Sequence, residues 1–564
     1  MPFSAGNPKR HKKTTGLRHW MLRVLDECDR VRADFAPDPV HDLRVSLRRC
    51  RSLADGLIAM DPDPDWKAMK KAGKRLFQRL GALRDVHIMV EWIEKLSPAE
   101  GRVEQASVAR ASVDAGDSPA VPQSQLNSES ILDSTNTRAS PRDPAADALL
   151  HVLGRREAEQ KLEAQAALED FDRKQWRQWA KSLPPRARIR PGSGLFKHLA
   201  LERWTEARRL QPLALRTRSQ TALHNLRIGI KRFRYIVENF LPAEHQAWSR
   251  DLKELQDLLG EVHDLDVLWA AAASAQVFPD AGLRQRWREQ ILGERNKRIA
   301  SYRQKMTGPA ALWHVWRAAL PQGKQIQAMA TRRLKLWAHS LDPDFAHSEH
   351  VTTLALQLHD GLLAAGLMGS ILGSTDGKDG DARSSLQAAA LLHDIGKSKG
   401  NKGHHKASLE LIKAHGTPLG WKPQDMQRAA VVARFHCGAL PTKNHKALRD
   451  LLPAEQKATI QLAAILRLAN AFDASHDGHI RRIQIEAEAP REGRTNGFVR
   501  KSVSGLAKNE ALVIAAEGYR SNSSAAQTIA AERHLLEIVL QRPVVVRPVK
   551  NRAFQRPSVE LRRC

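Results

Sequence analysis

Two stretches of this sequence share one pattern of histidine and basic residues. His41–Arg51 reads HDLRVSLRRCR and His224–Arg234 reads HNLRIGIKRFR, and counted from each histidine, positions +3, +7, +8 and +10 are basic in both. At about 100° per residue, the histidine and positions +3, +7 and +10 fall within an arc of about 80° on a helix, and the apolar positions +2, +6 and +9 fall opposite them. The pattern predicts two amphipathic helices, each with a buried face and a cationic stripe.

The repeat continues beyond the two stripes. KKAGKRLFQRLGALRD at 70–85 and RDLKELQDLLGEVHD at 250–264 each contain a Leu-Gly pair, where we predict a turn, and then an Asp. Further basic residues match between these segments: Lys71 and Lys74 in the first, Arg250 and Lys253 in the second. Like charges along one helix face repel each other unless an anion neutralises them. The duplication therefore predicts a pseudo-twofold helical bundle that brings both stripes onto one bound polyanion.

Composition agrees with a polyanionic partner. The 564-residue chain has 90 Lys+Arg against 62 Asp+Glu, a net charge of +28, and 42% hydrophobic residues, which excludes a wholly disordered chain. No apolar run approaches the roughly 20 residues of a membrane span, and the N-terminal segment lacks the apolar core of a signal peptide. The four cysteines form no CxxC pair, so neither a disulfide scaffold nor a thiolate zinc site is expected. We expect a cytoplasmic protein without a membrane span.

Changes in composition along the chain predict three domains. A helical region at 15–310 contains a Ser- and Pro-rich segment at 97–145, which we interpret as a disordered insertion. A second helical region, rich in histidine, covers 328–485. The segment 486–564 is predicted to be a small α+β subdomain, because HIRRIQIEAE, NEALVIAAEGY and RPVVVRPV have the pattern of strands, with a helix near 528–541. The expected fold is mainly α.

The two H-x-x-R-x-x-x-[RK]-R-x-R motifs and the LG-x-x-[RH]-D segments resemble the CHAD family, the conserved histidine α-helical domain. The resemblance implies an antiparallel helical bundle of two related halves that binds inorganic polyphosphate. The positions that it carries over are His41, Arg44, Arg48, Arg49, Arg51, His224, Arg227, Lys231, Arg232 and Arg234. From the residues themselves, we add Lys71, Lys74, Arg250 and Lys253.

Residue chemistry favours polyphosphate over RNA, which is the alternative ligand. Arginine binds phosphate oxygens with two parallel hydrogen bonds, and lysine acts as a mobile point charge. RNA-binding proteins usually add exposed aromatic rings for base stacking, and only Phe233 and Tyr235 lie near a stripe, Phe233 on its apolar side. Phosphate beside a histidine favours the charged imidazolium, so binding is expected to tighten as pH falls.

A second motif lies in the histidine-rich region. AAALLHDIGKSKG places His393 and Asp394 after a small, apolar helical run. An adjacent His and Asp can hold a divalent cation only when distant residues complete the ligand set. The candidates for that role are His347 upstream and His404, His405 and His436 downstream.

This arrangement resembles the HD phosphohydrolase superfamily. LLHDIG, GHHKASLELI, ARFH and ILRLANAFDASH are together similar to the C-terminal helical part of the exopolyphosphatase/guanosine pentaphosphatase family, over about 345–480. The resemblance implies that His347, His393 and Asp394 bind Mn²⁺, Mg²⁺ or a similar ion, with His404, His405 or His436 adding ligands or a proton. Lys397 would contact phosphate, and Asp394 and Lys397 are the catalytic candidates.

The chain departs from that family in three ways. Asn470 stands where the pattern has a ligand Asp, and Asp473, one helical turn further on, is a candidate substitute. Ala407 replaces a frequent histidine. The Gly-rich phosphate loops of the family's N-terminal ATPase fold are missing, so its enzyme name does not transfer. Three hypotheses follow: a polyphosphate-binding protein with metal-dependent phosphohydrolase activity, a non-catalytic scaffold at polyphosphate granules, or an RNA-binding protein.

Overall fold

The computed structural model describes residues 16–97, 143–186, 189–368, 379–486 and 511–549. The insertion predicted at 97–145 falls almost entirely outside the described residues. The chain divides into two compact units: Met1–Ile58 with Asp63–Pro321, and Ala59–Pro62 with Gln322–Cys564. The expectation of a mainly α fold with a small strand-containing tail is confirmed. The three predicted domain ranges stay predictions.

The first unit is built from helices. Proline at the first turn and an aspartate cap begin two of them: Asp63 accepts a hydrogen bond from the Asp65 amide, and Asp143 accepts one from Ala145. The described helices are α1 Leu17–Ala33, α2 Pro37–Ile58, α3 Pro64–Arg79, α4 Gly81–Leu96, α5 Pro144–Glu169, α6 Arg173–Ser182, α7 Gly194–Thr217, α8 Gln220–Phe240, α9 Pro242–Ser274, α10 Ala281–Met306 and α11 Leu312–Ala318.

The two repeated helices, α2 and α8, pack against each other. Leu43 and Leu47 on α2 and Leu226 on α8 are fully buried, as the repeat pattern predicts. A Cβ at Gly56 would lie 2.2 Å from a carbon of the Phe240 ring, so only glycine fits at this contact. The apolar face of α2 packs against α1 and α3, and that of α8 packs against α7 and α9. The basic residues of the two helices therefore lie on neighbouring surfaces.

One detail of the predicted repeat is wrong. In the first copy a break at Leu80 separates α3 from α4, whereas in the second copy Gly260 lies inside the continuous helix α9. A single glycine costs a helix only about 1 kcal/mol, and no proline interrupts α9 after its first turn. Leu-Gly therefore marks a turn in one copy only, although the two segments match in sequence.

The second unit collects its histidines at the ends of helices. His347 lies in the first turn of α13, His393 and Asp394 follow α14, His404 begins α15, and His436 follows α16. The helices are α12 Lys324–Leu341, α13 Phe345–Ala364, α14 Asp379–Leu392, α15 His404–His415, α16 Pro423–Arg434, α17 Lys446–Arg449, α18 Pro453–Phe472, α19 Ser524–Glu532 and α20 His534–Leu540, with a 3-10 helix at Ile395–Lys399.

A small sheet completes the second unit. Its strands are β1 Arg482–Glu486, β2 Leu512–Glu517 and β3 Val544–Pro548, in the order β1-β2-β3. β1 pairs antiparallel to β2, with Ile483 opposite Ala516, and β2 pairs parallel to β3, with Ile514 opposite Val546. Each of the three predicted strand segments forms one of these strands. None of the helices in the described ranges combines the length and apolar character that a membrane crossing requires.

Candidate functional sites

Basic side chains from both repeats meet in the first unit. Lys231 on α8 interacts electrostatically with the guanidinium groups of four residues, which together with Lys231 we call the cationic cluster: Arg44, Arg48, Arg51 and Arg227. Burial, followed by repulsion from these four groups, lowers the pKa of Lys231 to about 7. The structure therefore brings together five of the predicted polyphosphate-binding residues, three from the first copy and two from the second.

An aromatic ring supports two members of the cluster. Arg44 donates a hydrogen bond from Nη1 to the carbonyl oxygen of Phe77 at 3.0 Å, and its guanidinium carbon lies 4.2 Å from the centre of the Phe77 ring. The guanidinium carbon of Arg51 lies 5.1 Å from the same ring centre. Burial is the largest cause that lowers the pKa of Arg44, to about 10. These contacts hold both arginines at the cluster.

The aspartates that follow the two Leu-Gly pairs also meet here. Burial raises the pKa of Asp264 to about 6, although Arg227 acts in the opposite direction, and the negative charge of Asp85 adds to the rise. Burial raises the pKa of Asp85 as well, against the effects of Arg44 and Arg227. Two carboxylates that are equivalent in the repeat thus share one cationic environment.

The motif histidines lie beside the same charges. Burial lowers the pKa of His41, and Arg84 and Arg48 lower it further. The ring of His224 lies 5.1 Å from that of His263, whose pKa falls to about 4 through burial and then through Arg227. Arg84 and His263 were absent from the predicted site, yet they occupy the matched [RH] position of the LG-x-x-[RH]-D segments, which could have identified them.

Other predicted binding residues lie outside the cluster. Arg49 places Nη2 at 2.5 Å from Glu238 Oε1, and Arg234 Nε lies 4.0 Å from the other oxygen of Glu238, so both contact an internal carboxylate. Arg232 lines a cavity of about 220 Å³ together with Lys70, Arg203 and Tyr235. Four further predicted residues are exposed on α3 and α9: Lys71, Lys74, Arg250 and Lys253.

In the second unit, histidines surround the buried carboxylate of Asp394. On one side Oδ1 lies 3.3 Å from His404 Nε2 and 3.5 Å from His436 Nε2. On the other side Oδ2 lies 3.4 Å from His393 Nε2 and 2.6 Å from Lys397 Nζ. Burial alone would raise the pKa of Asp394, but His393, His436 and Lys397 bring it well below its ordinary value. We call Asp394 and these histidines, with His347, the HD cluster.

Backbone contacts set the tautomers of three histidines. The Nδ1 atoms of His393, His404 and His436 each lie 2.8 Å from a backbone carbonyl oxygen, of Ala390, Asn401 and Ala433 respectively. Because a carbonyl oxygen only accepts, each Nδ1 carries the hydrogen, and in the neutral ring the lone pair remains on Nε2. Among the residues that the structure describes, neither His393 Nε2 nor Asp394 Oδ1 has a hydrogen-bond partner, and both atoms are buried. This donor set fits a cation.

His347 is held by two side chains of the α18 end. Its Nδ1 lies 2.7 Å from Asp473 Oδ2, and its Nε2 lies 3.0 Å from Asn470 Oδ1. The Nε2 atom is 4.0 Å from Asp394 Oδ2. Asp473, the candidate substitute for the missing ligand at Asn470, contacts the nitrogen of His347 that faces away from Asp394. Asp473 instead orients that imidazole, as outer carboxylates commonly do.

Two residues differ from the sequence-based ligand set. Six candidate ligand atoms form two compact groups in the described residues, and neither group contains His405: His347, His393 and Asp394, and His404, His436 and Cys437. Cys437 was excluded because the chain has no CxxC pair, but its Sγ lies 3.7 Å from His404 Nε2. Its position directly after His436 was the signal that could have identified it.

Two family models match separate parts of the chain. A family model described as CHAD domain matches residues 17–273, and one described as Ppx/GppA phosphatase, domain III, matches residues 331–514. No curated protein matched the chain. The first match covers both repeated helices and the cationic cluster, and the second covers the whole HD cluster. The chain therefore carries a CHAD domain followed by a Ppx/GppA phosphatase domain III.

Proposed function

We propose that this protein binds inorganic polyphosphate at the cationic cluster. The observation that carries the proposal is the environment of Lys231, which interacts with four guanidinium groups and has a pKa of about 7. Like charges collected at partly buried positions destabilise the ligand-free protein, and a polyanion removes that cost by neutralising them. A linear chain of phosphates supplies closely spaced negative oxygens that several arginines can share.

The partners of the cluster residues support a phosphate ligand. Within the described part of the chain, no carboxylate forms an ion pair with Arg48 or Arg227, and the Nε of Arg227 is buried without a hydrogen-bond partner. These two guanidinium groups therefore keep hydrogen-bond donors for phosphate oxygens. The raised pKa of Asp264, about 6, means that this carboxylate is protonated more easily than an ordinary one. Its repulsion of a bound polyanion therefore weakens at mildly acidic pH.

The aromatic rings near the cluster favour polyphosphate over RNA. Cationic side chains lie over them: Arg44 over Phe77, Lys231 6.0 Å from the centre of Tyr235, and Arg49 5.3 Å from that of Trp20. A cation over a ring competes with a nucleobase for that face, and base stacking is the usual source of single-strand RNA affinity. Association with polyphosphate granules follows from the proposed ligand.

Charge reversal in the cluster tests this function. Arg44→Glu, Arg48→Glu and Arg227→Glu, combined, should weaken the binding of long-chain polyphosphate by several orders of magnitude, since each charge-assisted contact contributes about 1.5–3 kcal/mol. Arg284→Glu, Arg286→Glu and Arg288→Glu, combined, make an equal charge change at exposed positions on α10 and should have little effect. Equal loss in both variants would refute a localised site. Displacement of polyphosphate by RNA at the same phosphate concentration would favour the RNA alternative.

A second candidate function is metal-dependent phosphohydrolysis at the HD cluster. The observation that favours it is the pair of buried atoms without partners, His393 Nε2 and Asp394 Oδ1, in a set of imidazoles and one carboxylate. His347, His393 and Asp394 would hold a divalent cation, which would lower the pKa of a bound water. Asp473 would keep the His347 ring oriented, and Lys397 would contact a substrate phosphate. Polyphosphate or a phosphorylated nucleotide is the substrate class.

Orthophosphate or nucleotide release in the presence of Mn²⁺ or Mg²⁺ tests the enzymatic proposal. His393→Ala should abolish turnover and leave polyphosphate affinity unchanged, because His393 belongs to the second unit. His405→Ala, which removes a neighbouring imidazole outside the two compact ligand groups, is the matched control and should stay active. Polyphosphate binding without turnover in the unmodified protein would support the scaffold hypothesis instead.

A further inference from the structure

The side of Asp394 that faces His404 has the geometry of a complete ligand set. The Nε2 atoms of His404 and His436 are 3.0 Å apart, and Cys437 Sγ is 3.7 Å from His404 Nε2. Asp394 Oδ1 adds an oxygen at 3.3 and 3.5 Å from the two nitrogens. Ligand atoms of a tetrahedral zinc ion, at about 2.0–2.3 Å from the metal, lie about 3.3–3.6 Å from one another. The four distances between these side chains, from 3.0 to 3.7 Å, are close to this spacing, and the ligand atoms of His404, His436 and Cys437 all lie within 4.8 Å of one another.

Electrostatics also requires a positive centre between these groups. His404 and His436 both carry their hydrogen on Nδ1, so in the neutral rings two Nε2 lone pairs face each other at 3.0 Å beside a carboxylate oxygen. Three electron-rich atoms in such contact repel unless a cation or a proton lies among them. His436 is 2% exposed, so water cannot supply that compensation from outside.

The opposite side of Asp394 is already engaged by the protein's own groups. Lys397 Nζ lies 2.6 Å from Oδ2, and the Nε2 atom of His347 lies 3.0 Å from the Asn470 amide oxygen. A cation at this first position would have to displace both contacts, and Asn470 would offer it only a neutral ligand. No comparable rearrangement is needed on the Oδ1 side.

We propose that His404, His436, Cys437 and Oδ1 of Asp394 form a zinc site, distinct from the His347–His393–Asp394 position. The inference rests on the HD cluster being a cation site, as in the second candidate function, and adds the position, the fourth ligand and the metal. A thiolate with two imidazoles favours zinc, whereas Mg²⁺ and Mn²⁺ prefer oxygen ligands. Four protein ligands are typical of a structural zinc site, because no position remains for a reactive water.

Such an ion would join three segments of the second unit. Asp394 begins the 3-10 helix at Ile395–Lys399, His404 begins α15, and His436 with Cys437 follows α16. Bound metal stabilises the folded state over the unfolded one. Chelation should therefore lower the melting temperature of the second unit, and added zinc should restore it.

Metal analysis of the full-length purified protein tests the proposal. We expect about one zinc per chain and, after exchange with cobalt(II), a near-ultraviolet thiolate-to-cobalt charge-transfer band. Cys437→Ser should remove the band and lower the affinity for zinc by at least about 10- to 100-fold. That is the loss typical of removing a partner in the outer shell, and Cys437 would be a direct ligand. The matched control His405→Gln, which changes an adjacent imidazole, should keep both metal and band.

The outcomes separate this inference from the proposed functions. The zinc site would be overturned if the cobalt-exchanged protein lacked the thiolate band or if the purified protein retained no zinc. Both measurements use the unmodified protein, so they do not depend on whether a variant folds. Polyphosphate titration of the same samples reports on the cationic cluster alone. A protein that retains zinc but does not bind polyphosphate would refute the proposed function and leave the zinc site standing. A protein that binds polyphosphate but holds no zinc would refute the zinc site and leave the proposed function standing.

Discussion

Arg49 on α2 and Glu238 on α8 form an ion pair, with Nη2 and Oε1 2.5 Å apart. The pair joins the two copies of the repeat, and Glu238 is mostly buried, at 9% exposure of its side chain. A stripe residue that sequence alone assigns to the ligand therefore neutralises a carboxylate inside the protein. This contact separates the role of Arg49 from that of its neighbour Arg48.

Arg49→Ala and Arg48→Ala should have opposite consequences. Arg49→Ala leaves Glu238 with only the longer 4.0 Å contact to Arg234, so we expect a loss of about 1–3 kcal/mol in the free energy of unfolding of the first unit and little change in polyphosphate affinity. Arg48→Ala should weaken polyphosphate at least tenfold with little change in stability. Denaturant unfolding and polyphosphate titration of both variants measure the difference. Equal affinity losses would contradict the assignment.

Polyphosphate binding should take up protons near neutral pH. The pKa of Lys231 is about 7 because of burial and the surrounding guanidinium groups, and a polyanion that neutralises them must raise it. Above pH 7 the Lys231 side chain of the free protein is largely neutral, and it becomes charged when polyphosphate binds. The contribution of Lys231 to polyphosphate affinity therefore rises as pH falls towards 7 and stays constant below that pH. Calorimetry in buffers of different ionisation enthalpy counts the protons.

Lys231→Met provides the control for that measurement. It should reduce the proton uptake between pH 7 and 9, whereas Lys174→Met, at an exposed position on α6, should leave the uptake unchanged. An unaltered pH dependence in Lys231→Met would show that another group takes up the proton. Burial and Arg227 bring the pKa of His263 to about 4, so we do not expect this histidine to take up a proton between pH 7 and 9.

Gly396 should be intolerant of any side chain. A Cβ there would lie 2.0 Å from the His404 carbonyl oxygen and 2.6 Å from the Ser408 nitrogen, both backbone atoms. Gly396→Ala must therefore move α15 away from the 3-10 helix, and we expect a loss of at least about 1–3 kcal/mol in the stability of the second unit. Thermal unfolding measures it. Lys399→Ala, an exposed change in the same 3-10 helix, should unfold as the unmodified protein does.

Asn470→Asp should strengthen the cation position at His347, His393 and Asp394, where the natural sequence offers only a neutral amide. The new carboxylate would face His347 Nε2, which now lies 3.0 Å from the amide oxygen, and would add the charge that draws a cation in. We expect tighter Mn²⁺ binding, with faster phosphate release if the HD cluster is catalytic. Asn470→Ala is the control and should not gain Mn²⁺ affinity. Unchanged binding in Asn470→Asp would argue against a first cation position.

Much of the architecture could be predicted from local patterns. The stripe helices, the three strands and the apolar helix before His393 and Asp394 each depend on periodicity or on residues a few positions apart, and the structure contains them where the sequence suggested. The prediction of a turn at the Leu-Gly pair of the second copy was wrong, also for a local reason. One glycine is too weak a signal to end the 33-residue helix α9. Its match to the first copy concealed that weakness.

Contacts between distant residues could not be predicted in the same way. His347 and Asp473 are 126 positions apart, and their orientation follows from how α13 packs against the end of α18. Helical periodicity places a residue on a face but does not say which facing side chain it will meet. Neither the contact between Asp473 and His347 nor that between Cys437 and His404 could therefore be predicted.

By itself, the sequence determined that this protein has two cationic helical repeats and a histidine–aspartate motif, because helix period and charge are properties of short segments. Only the tertiary structure decided which of those charges remain available: Arg49 is neutralised by Glu238, and Lys231 is crowded by four arginines. It likewise decided that Cys437, and not His405, joins His404 and His436. The physical reason is that ion pairing, pKa and ligand geometry depend on distances across packed helices, and packing sets those distances.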